Sequence, residues 1–199
     1  EGAQVVYVVC TDGGRGSNDP TMTQERLVAI REQEQIEACK VLGVQEVVFL
    51  GHPDGELEDT KAFRGQIVRE IRRVRPEVVM APDPSRRSFP QHRDHRIGGQ
   101  VALDACYPYA RDHLHYPEHL GEGLQPHKVA AILFWGAEDA DLFVDISQTL
   151  PLKVQALKCH RSQVDGREVE KLLTEWARRT GEEAGYQYAE GFRRLEFRL

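Results

Sequence analysis

The sequence has few cysteines, no excess of basic residues and no long apolar run, and each shortage removes a class of protein. Four cysteines stand among 199 residues, at Cys10, Cys39, Cys106 and Cys159, with no C-x-x-C pair. Widely spaced in apolar or helical stretches, they read as reduced core thiols of a cytoplasmic protein, not as a disulfide framework. The formal net charge of −6 argues against a nucleic-acid partner, because phosphate binding wants a basic face. No apolar run approaches the roughly 18 residues of a membrane span. G-x-G-x-x-G and Gly-Lys-Ser/Thr are both missing. What is present, 40% hydrophobic and 29% charged residues, suits one globular domain with a real core.

The first residues run quickly into Val5-Val6-Tyr7-Val8-Val9-Cys10, a continuous apolar run of the kind found in strands buried on both faces. Glu1-Gly2 before it resembles the last residue and glycine cap of a helix. The domain is therefore expected to lack its N-terminal strand–helix unit here. The run ends in Asp12-Gly13-Gly14-Arg15-Gly16, read as a loop lining a cleft or, more weakly, as the phosphate cradle of a nucleotide-binding module. Residues 23–42 predict a helix capped by Gly43, with Arg31 and Glu34 spaced to pair on one face. Val47-Val48-Phe49-Leu50 is a second strand, leading to Gly51-His52-Pro53-Asp54-Gly55. That is a turn sequence in which Asp54 bonds to backbone or touches substrate.

Residues 60–75 give an amphipathic helix through Phe63, Ile67, Ile71 and Val74, stopped by Pro76. A third strand is expected over 77–81 and a helix over about 96–106. Residues 107–127, rich in Pro, Tyr and His, read as an irregular lid or subunit contact. Strands follow at 129–135 and 140–146, then helices from Thr149 to Lys158 and over 167–180. An edge strand is expected in the tail, where Phe192, Leu195, Phe197 and Leu199 alternate. The alternation of elements predicts an α/β, Rossmann-like three-layer sandwich with a mostly parallel sheet, in one domain over 1–199.

Between the third strand and its helix stands His92-Arg93-Asp94-His95. Imidazoles are common metal ligands and proton carriers near neutral pH, and a carboxylate between them can fix a tautomer. Open α/β sheets place their ligands at such strand ends. Two histidines do not complete a metal site, so further ligands are needed.

The ordered set of motifs resembles the PIG-L/LmbE-like zinc-dependent N-deacetylases. It comprises Thr11-Asp12-Gly13, Ile30-Arg31-x-x-Glu34, Gly51-x-Pro53-Asp54-Gly55 and His92-x-Asp94-His95-Arg96. It closes with Lys153-x-x-Ala156-Leu157-x-x-His160-x-Ser162-Gln163 and Ala189-Glu190-x-Phe192-Arg193. The resemblance implies hydrolysis of an N-acetyl group on an N-acetylglucosamine-type substrate, with one zinc ion. It gives His95 as a zinc ligand, His92 as the oxyanion-stabilising proton carrier and Asp94 as the carboxylate that holds it. It gives Arg31, and more loosely Asp54, as substrate-contacting residues. The family's remaining metal motif, His-Pro-Asp-Asp, does not occur in residues 1–199; His52-Pro53-Asp54-Gly55 has glycine at the ligating position. The resemblance leaves His160, Ser162 and Gln163 without a firm role, and implies a homo-oligomer, a trimer or hexamer. An inactive fragment that keeps only a sugar-binding shell stands as the alternative, beside the nucleotide-binding module.

Overall fold

The structure is a computed structural model and describes residues 2–88 and 90–197; Glu1 of the expected helix tail and Leu199 of the alternating tail lie outside the described residues. The chain divides into two compact units, Glu1–Gly55 with Phe143–Glu190, and Glu56–Leu142 with Gly191–Leu199.

In the first unit, β1 (Val6–Thr11) and β2 (Glu46–His52) form a parallel pair. Between them runs α1 (Gln24–Leu42). The Thr23 hydroxyl accepts from the Arg26 N–H at its start, and Gly43, at φ +71°, closes its end onto the Cys39 and Lys40 carbonyls. After α5 (Leu150–Lys158), α6 (Arg161–Val164) and α7 (Val169–Ala184), the core of this unit gathers Ile146, Leu150, Val154, Leu173 and Ala177. Thr149 stands before α5 as expected, but its hydroxyl donates to the Ile146 carbonyl and does not cap the helix.

The second unit opens with α2 (Lys61–Val74), capped by the Thr60 hydroxyl and ended at Arg75 in the left-handed region. It continues through β3 (Val78–Pro82), α3 (Arg93–Asp104), a π-helical segment (Ala105–Tyr109), α4 (Glu118–Gly121) and β4 (Ala131–Trp135). The chain then passes β5 (Leu142–Asp145), and β6 (Ala189–Glu196) returns it to this unit. The core here is larger, with Val68, Ile71, Ala81, Cys106, Ile132 and Phe134 among its members.

The sheet differs from expectation. Among the described residues there are two sheets, β1-β2 and β3-β4-β6-β5. Two pairings are parallel, but β4 and β6 run antiparallel. The architecture is therefore mixed α/β with a partly parallel sheet, not a single mostly parallel one. The tail strand, expected at an edge, is interior: β6 enters between β4 and β5. β3 takes an edge instead, and Val78 and Met80, which share one of its faces, are exposed.

The segment after α3 is not loosely irregular. Arg72, 2% exposed, donates to five carbonyls, those of Tyr109, Ala110, Asp112, His115 and Tyr116. Its guanidinium fork suits such a cage, and burial lowers its pKa. Pro117, which reads as a helix breaker, precedes α4 as its N-terminal cap position.

Two contacts set the end of β3 against its surroundings. Gly99 in α3 lies so close to β3 that a Cβ there would come within 2.1 Å of the Pro82 carbonyl oxygen. Asp83, 2% exposed, takes two hydrogen bonds of 2.9 Å from Arg193 of β6. Burial alone would raise the Asp83 pKa, but Arg193 and the Ser85 N–H outweigh it and hold the carboxyl below its ordinary value. This contribution to stability is present above the unfolded carboxyl pKa and is lost as pH falls through the folded one.

Gly99→Ala is expected to lower stability by about 1–3 kcal/mol, because the neighbour is backbone and must shift. Gly98→Ala, whose Cβ would meet nothing nearer than Leu57 at 4.0 Å, should gain up to about 1 kcal/mol from helix propensity. Urea unfolding checks both, and equal effects of the two would contradict the packing described. Arg193→Ala is expected to cost about 3–5 kcal/mol by leaving a buried carboxylate unpaired. Adding Asp83→Ala should restore part of that loss, whereas additive losses would contradict the coupling.

Candidate active site

In the second unit the H-x-D-H stretch is not a loop ahead of the helix but the start of the helix itself. His92 is the N-cap of α3, with Asp94 and His95 in its first turn. The Asp94 N–H donates to His92 Nδ1 at 3.3 Å, the bond that an N-cap serine would otherwise accept. With Nδ1 accepting, the neutral ring carries its proton on Nε2. The Asp94 carboxylate lies 3.7 Å from the same Nδ1. Asp94 is 7% exposed and also accepts the Leu57 N–H at 3.2 Å, while Arg93 donates to the Leu57 carbonyl. The first turn of α3 is thus fastened on both sides of one backbone residue.

His95 lies 5.9 Å from His92 and 5.4 Å from Trp135, ring centre to ring centre. Partial burial lowers its pKa; His92 and Arg86 push the same way and Asp94 opposes them. His95 is therefore neutral at pH 7, with a lone pair available to a cation. The loop leading here is held by Gln91, which donates to the Asp83 carbonyl, and by Glu138, which accepts from Arg87, Ser88 and the Ser88 hydroxyl. Asp83 and Glu138 were not legible as site-building residues, since their partners are distant in sequence.

In the first unit the other expected residues meet on one loop. The Asp12 carboxylate accepts the N–H groups of Gly14 at 2.9 Å and Asp54 at 3.1 Å, and the Asp12 N–H donates to the His52 carbonyl. Asp54 in turn accepts the Arg15 N–H at 3.2 Å, and Gly55 has the positive φ expected of a Pro-Asp-Gly turn. Arg31 donates to the Gly13 carbonyl at 2.8 Å. A side chain at Gly13 would collide with that guanidinium, and its φ of +63° favours glycine as well. This geometry disfavours a phosphate cradle. The N–H groups of Gly14 and Arg15 already point at two carboxylates, which would repel a phosphate.

The expected Arg31–Glu34 pair does not form, because each side chain has a better partner. Glu34, 7% exposed, accepts both the Ser162 N–H and the Ser162 hydroxyl at 2.7 Å. Gln163 donates to the Gly16 carbonyl at 3.1 Å. Ser162 and Gln163 thereby gain a role, seating α6 on α1 and on the glycine-rich loop. His160 beside them has its pKa lowered, by burial first and by Arg31, against the pull of Glu34.

The chain matches the family described as PIG-L, GlcNAc-PI de-N-acetylase, over residues 1–106. A diacetylchitobiose deacetylase of Thermococcus kodakarensis is 33% identical over 195 residues, covering 96% of this chain and 72% of that protein. A probable N-acetyl-alpha-D-glucosaminyl L-malate deacetylase 2 of Bacillus subtilis is 28% identical, over 85% of this chain and 75% of its own length. Among solved structures, the N,N'-diacetylchitobiose deacetylase of Pyrococcus horikoshii, complexed with its inhibitor MPG, superposes with a TM-score of 0.92 at 31% identity. It covers 98% of this chain and 74% of that one. The motif order read from the sequence, the first turn of α3 and these likenesses agree, and the chain belongs to the PIG-L family of de-N-acetylases.

Proposed function

We propose that the protein is a zinc-dependent amide hydrolase that removes the acetyl group from an N-acetylglucosamine-type substrate, giving acetate and a free amine. Family membership supports the reaction class, and the names of the relatives support the substrate class. The observation that carries the reading is the first turn of α3, which sets a neutral imidazole, a capped imidazole and a buried carboxylate side by side.

The donor chemistry fits a divalent cation: a neutral histidine is a good ligand for zinc. His95 would hold the ion, as one of the several ligands it needs. When bound, zinc supplies Lewis-acid polarisation of the acetamide carbonyl and hydroxide at neutral pH. His92 does the proton work. In its protonated form His92 would donate through Nε2–H to the oxygen on which negative charge develops, then pass that proton to the departing amine and return to the neutral ring. The Asp94 carboxylate lies 3.7 Å from His92 Nδ1 and is itself kept in place by the Leu57 N–H. Protonation at Nδ1 gives up the cap bond from the Asp94 N–H and makes that nitrogen a donor facing the Asp94 carboxylate. Arg31 and Asp54 are the proposed substrate-contacting residues, and their shared attachment to the 12–16 loop supports the pairing.

Zinc content and acetate release together test the roles. His95→Ala is expected to lose both. His92→Ala is expected to keep zinc and lose about 10²–10⁴-fold in kcat, the range for a removed general acid. Equal loss of zinc in both variants would contradict the division of roles. Zinc-loaded protein that frees no acetate from any acetamido sugar would contradict the function.

A further inference from the structure

Trp135 is a large aromatic ring left in the open beside the reacting imidazoles. It ends β4, and although Ile132 and Phe134 of the same strand are fully buried, Trp135 is 39% exposed. Its backbone is fixed on both sides, in register with Pro82 of β3 and Phe192 of β6. Its carbonyl accepts the Asp83 N–H at 3.0 Å, so it is also tied to the buried Asp83–Arg193 pair. Only two side-chain torsions remain, and one side of the indole is occupied by His95, 78° from coplanar. Gly136 follows at φ +70°, and the Arg86 guanidinium lies 3.6 Å from where its Cβ would be. Arg86, Trp135 and His95 thus share the carboxyl ends of β3 and β4.

Trp135 is absent from the core cluster that Ile132 and Phe134 of the same strand join, and what sets it apart from other exposed apolar side chains is its contact with His95. A gluco-configured pyranose is the complement of such a surface. Its ring substituents are equatorial, so each face presents C–H groups polarised by neighbouring oxygens, and the face of an indole carries partial negative charge. Sugar sites combine apolar and aromatic walls with a few polar groups that fix orientation, and Arg86, His92 and His95 supply the polar groups here.

We propose that Trp135 is the platform on which the pyranose ring of the substrate stacks, and that it sets a preference for cyclic acetamido sugars over acyclic acetamides. The inference rests on the deacetylase reading above. The Trp135 ring centre lies 5.4 Å from that of His95, which lies 5.9 Å from that of His92, so a sugar stacked on the indole borders the reacting groups. The role is one of binding and selection, not of proton transfer.

The chain has two tryptophans, so Trp176→Phe, on α7, leaves Trp135 as the sole indole fluorophore. In that background, titration with N-acetylglucosamine and with glucosamine should give a saturable fluorescence change, and N-acetylethanolamine should give none. Trp135→Ala should raise KM for an N-acetylglucosaminide about tenfold and lower the sugar-to-acyclic ratio of kcat/KM by a similar factor. Trp135→Phe should recover most of both. A flat fluorescence titration with either sugar would overturn the platform and leave the deacetylase reading standing wherever acetate is still released. Equal loss on sugar and acyclic amide would also overturn it, because the ring would then be acting through His95. Absence of acetate release from wild type is a failure of the functional reading alone, and the fluorescence titration still decides the platform.

Discussion

Arg193 reaches from β6 to the carboxylate of Asp83 with two parallel hydrogen bonds of 2.9 Å, and its guanidinium lies over the ring of Phe134 at 4.5 Å. One buried ion pair thereby joins the last strand, the strand beside it and the turn that leaves β3. The Asp83 backbone then ties to Trp135, and its carbonyl to Gln91. Along the way to His92, Arg87 and Ser88 are held by Glu138. A buried pair of this kind adds little net stability against an apolar replacement, but breaking it is costly. Through the Asp83 carbonyl and Gln91 it is linked to the residue just before the His92 cap of α3.

Where α3 begins decides the chemistry. Because His92 caps the helix, its Nδ1 is engaged and its Nε2–H is turned outward. Because His95 lies one turn in, it borders Trp135 and remains neutral. Gly99 allows the helix to approach the end of β3 without a side chain between them. The three features are consequences of one arrangement, a helix pressed by its glycine against a strand end and fixed at its first turn. They set the His95 ring 5.9 Å from that of His92 and 5.4 Å from that of Trp135, centre to centre.

Much of this was legible in the sequence. The helix over α1 with its Gly43 cap, the amphipathic helix over α2, and the strands at β1, β2, β3 and β4 follow from periodicity and local signals alone. The family resemblance likewise follows from ordered motifs. What was not legible depends on partners far apart in the chain. The Glu34–Ser162 bonds span 128 residues and the Arg193–Asp83 pair spans 110. Local spacing instead suggests an Arg31–Glu34 pair, which those distant partners displace. The interior place of β6 and the carbonyl cage around Arg72 were hidden for the same reason. An alternating tail reads as an edge strand, and a Pro- and Tyr-rich stretch reads as loose, until their partners are known.

The account stands on an amide-cleaving site that acts on a ring-shaped acetamido substrate. The most direct measurement is carbon-13 NMR of zinc-loaded protein mixed with N,N'-diacetylchitobiose labelled at the acetyl carbonyl, followed over time. The predicted result is transfer of label from the amide resonance to free acetate, with one free amine formed per acetate. Label that stays in the amide, with sugar bound and zinc present, would contradict the account.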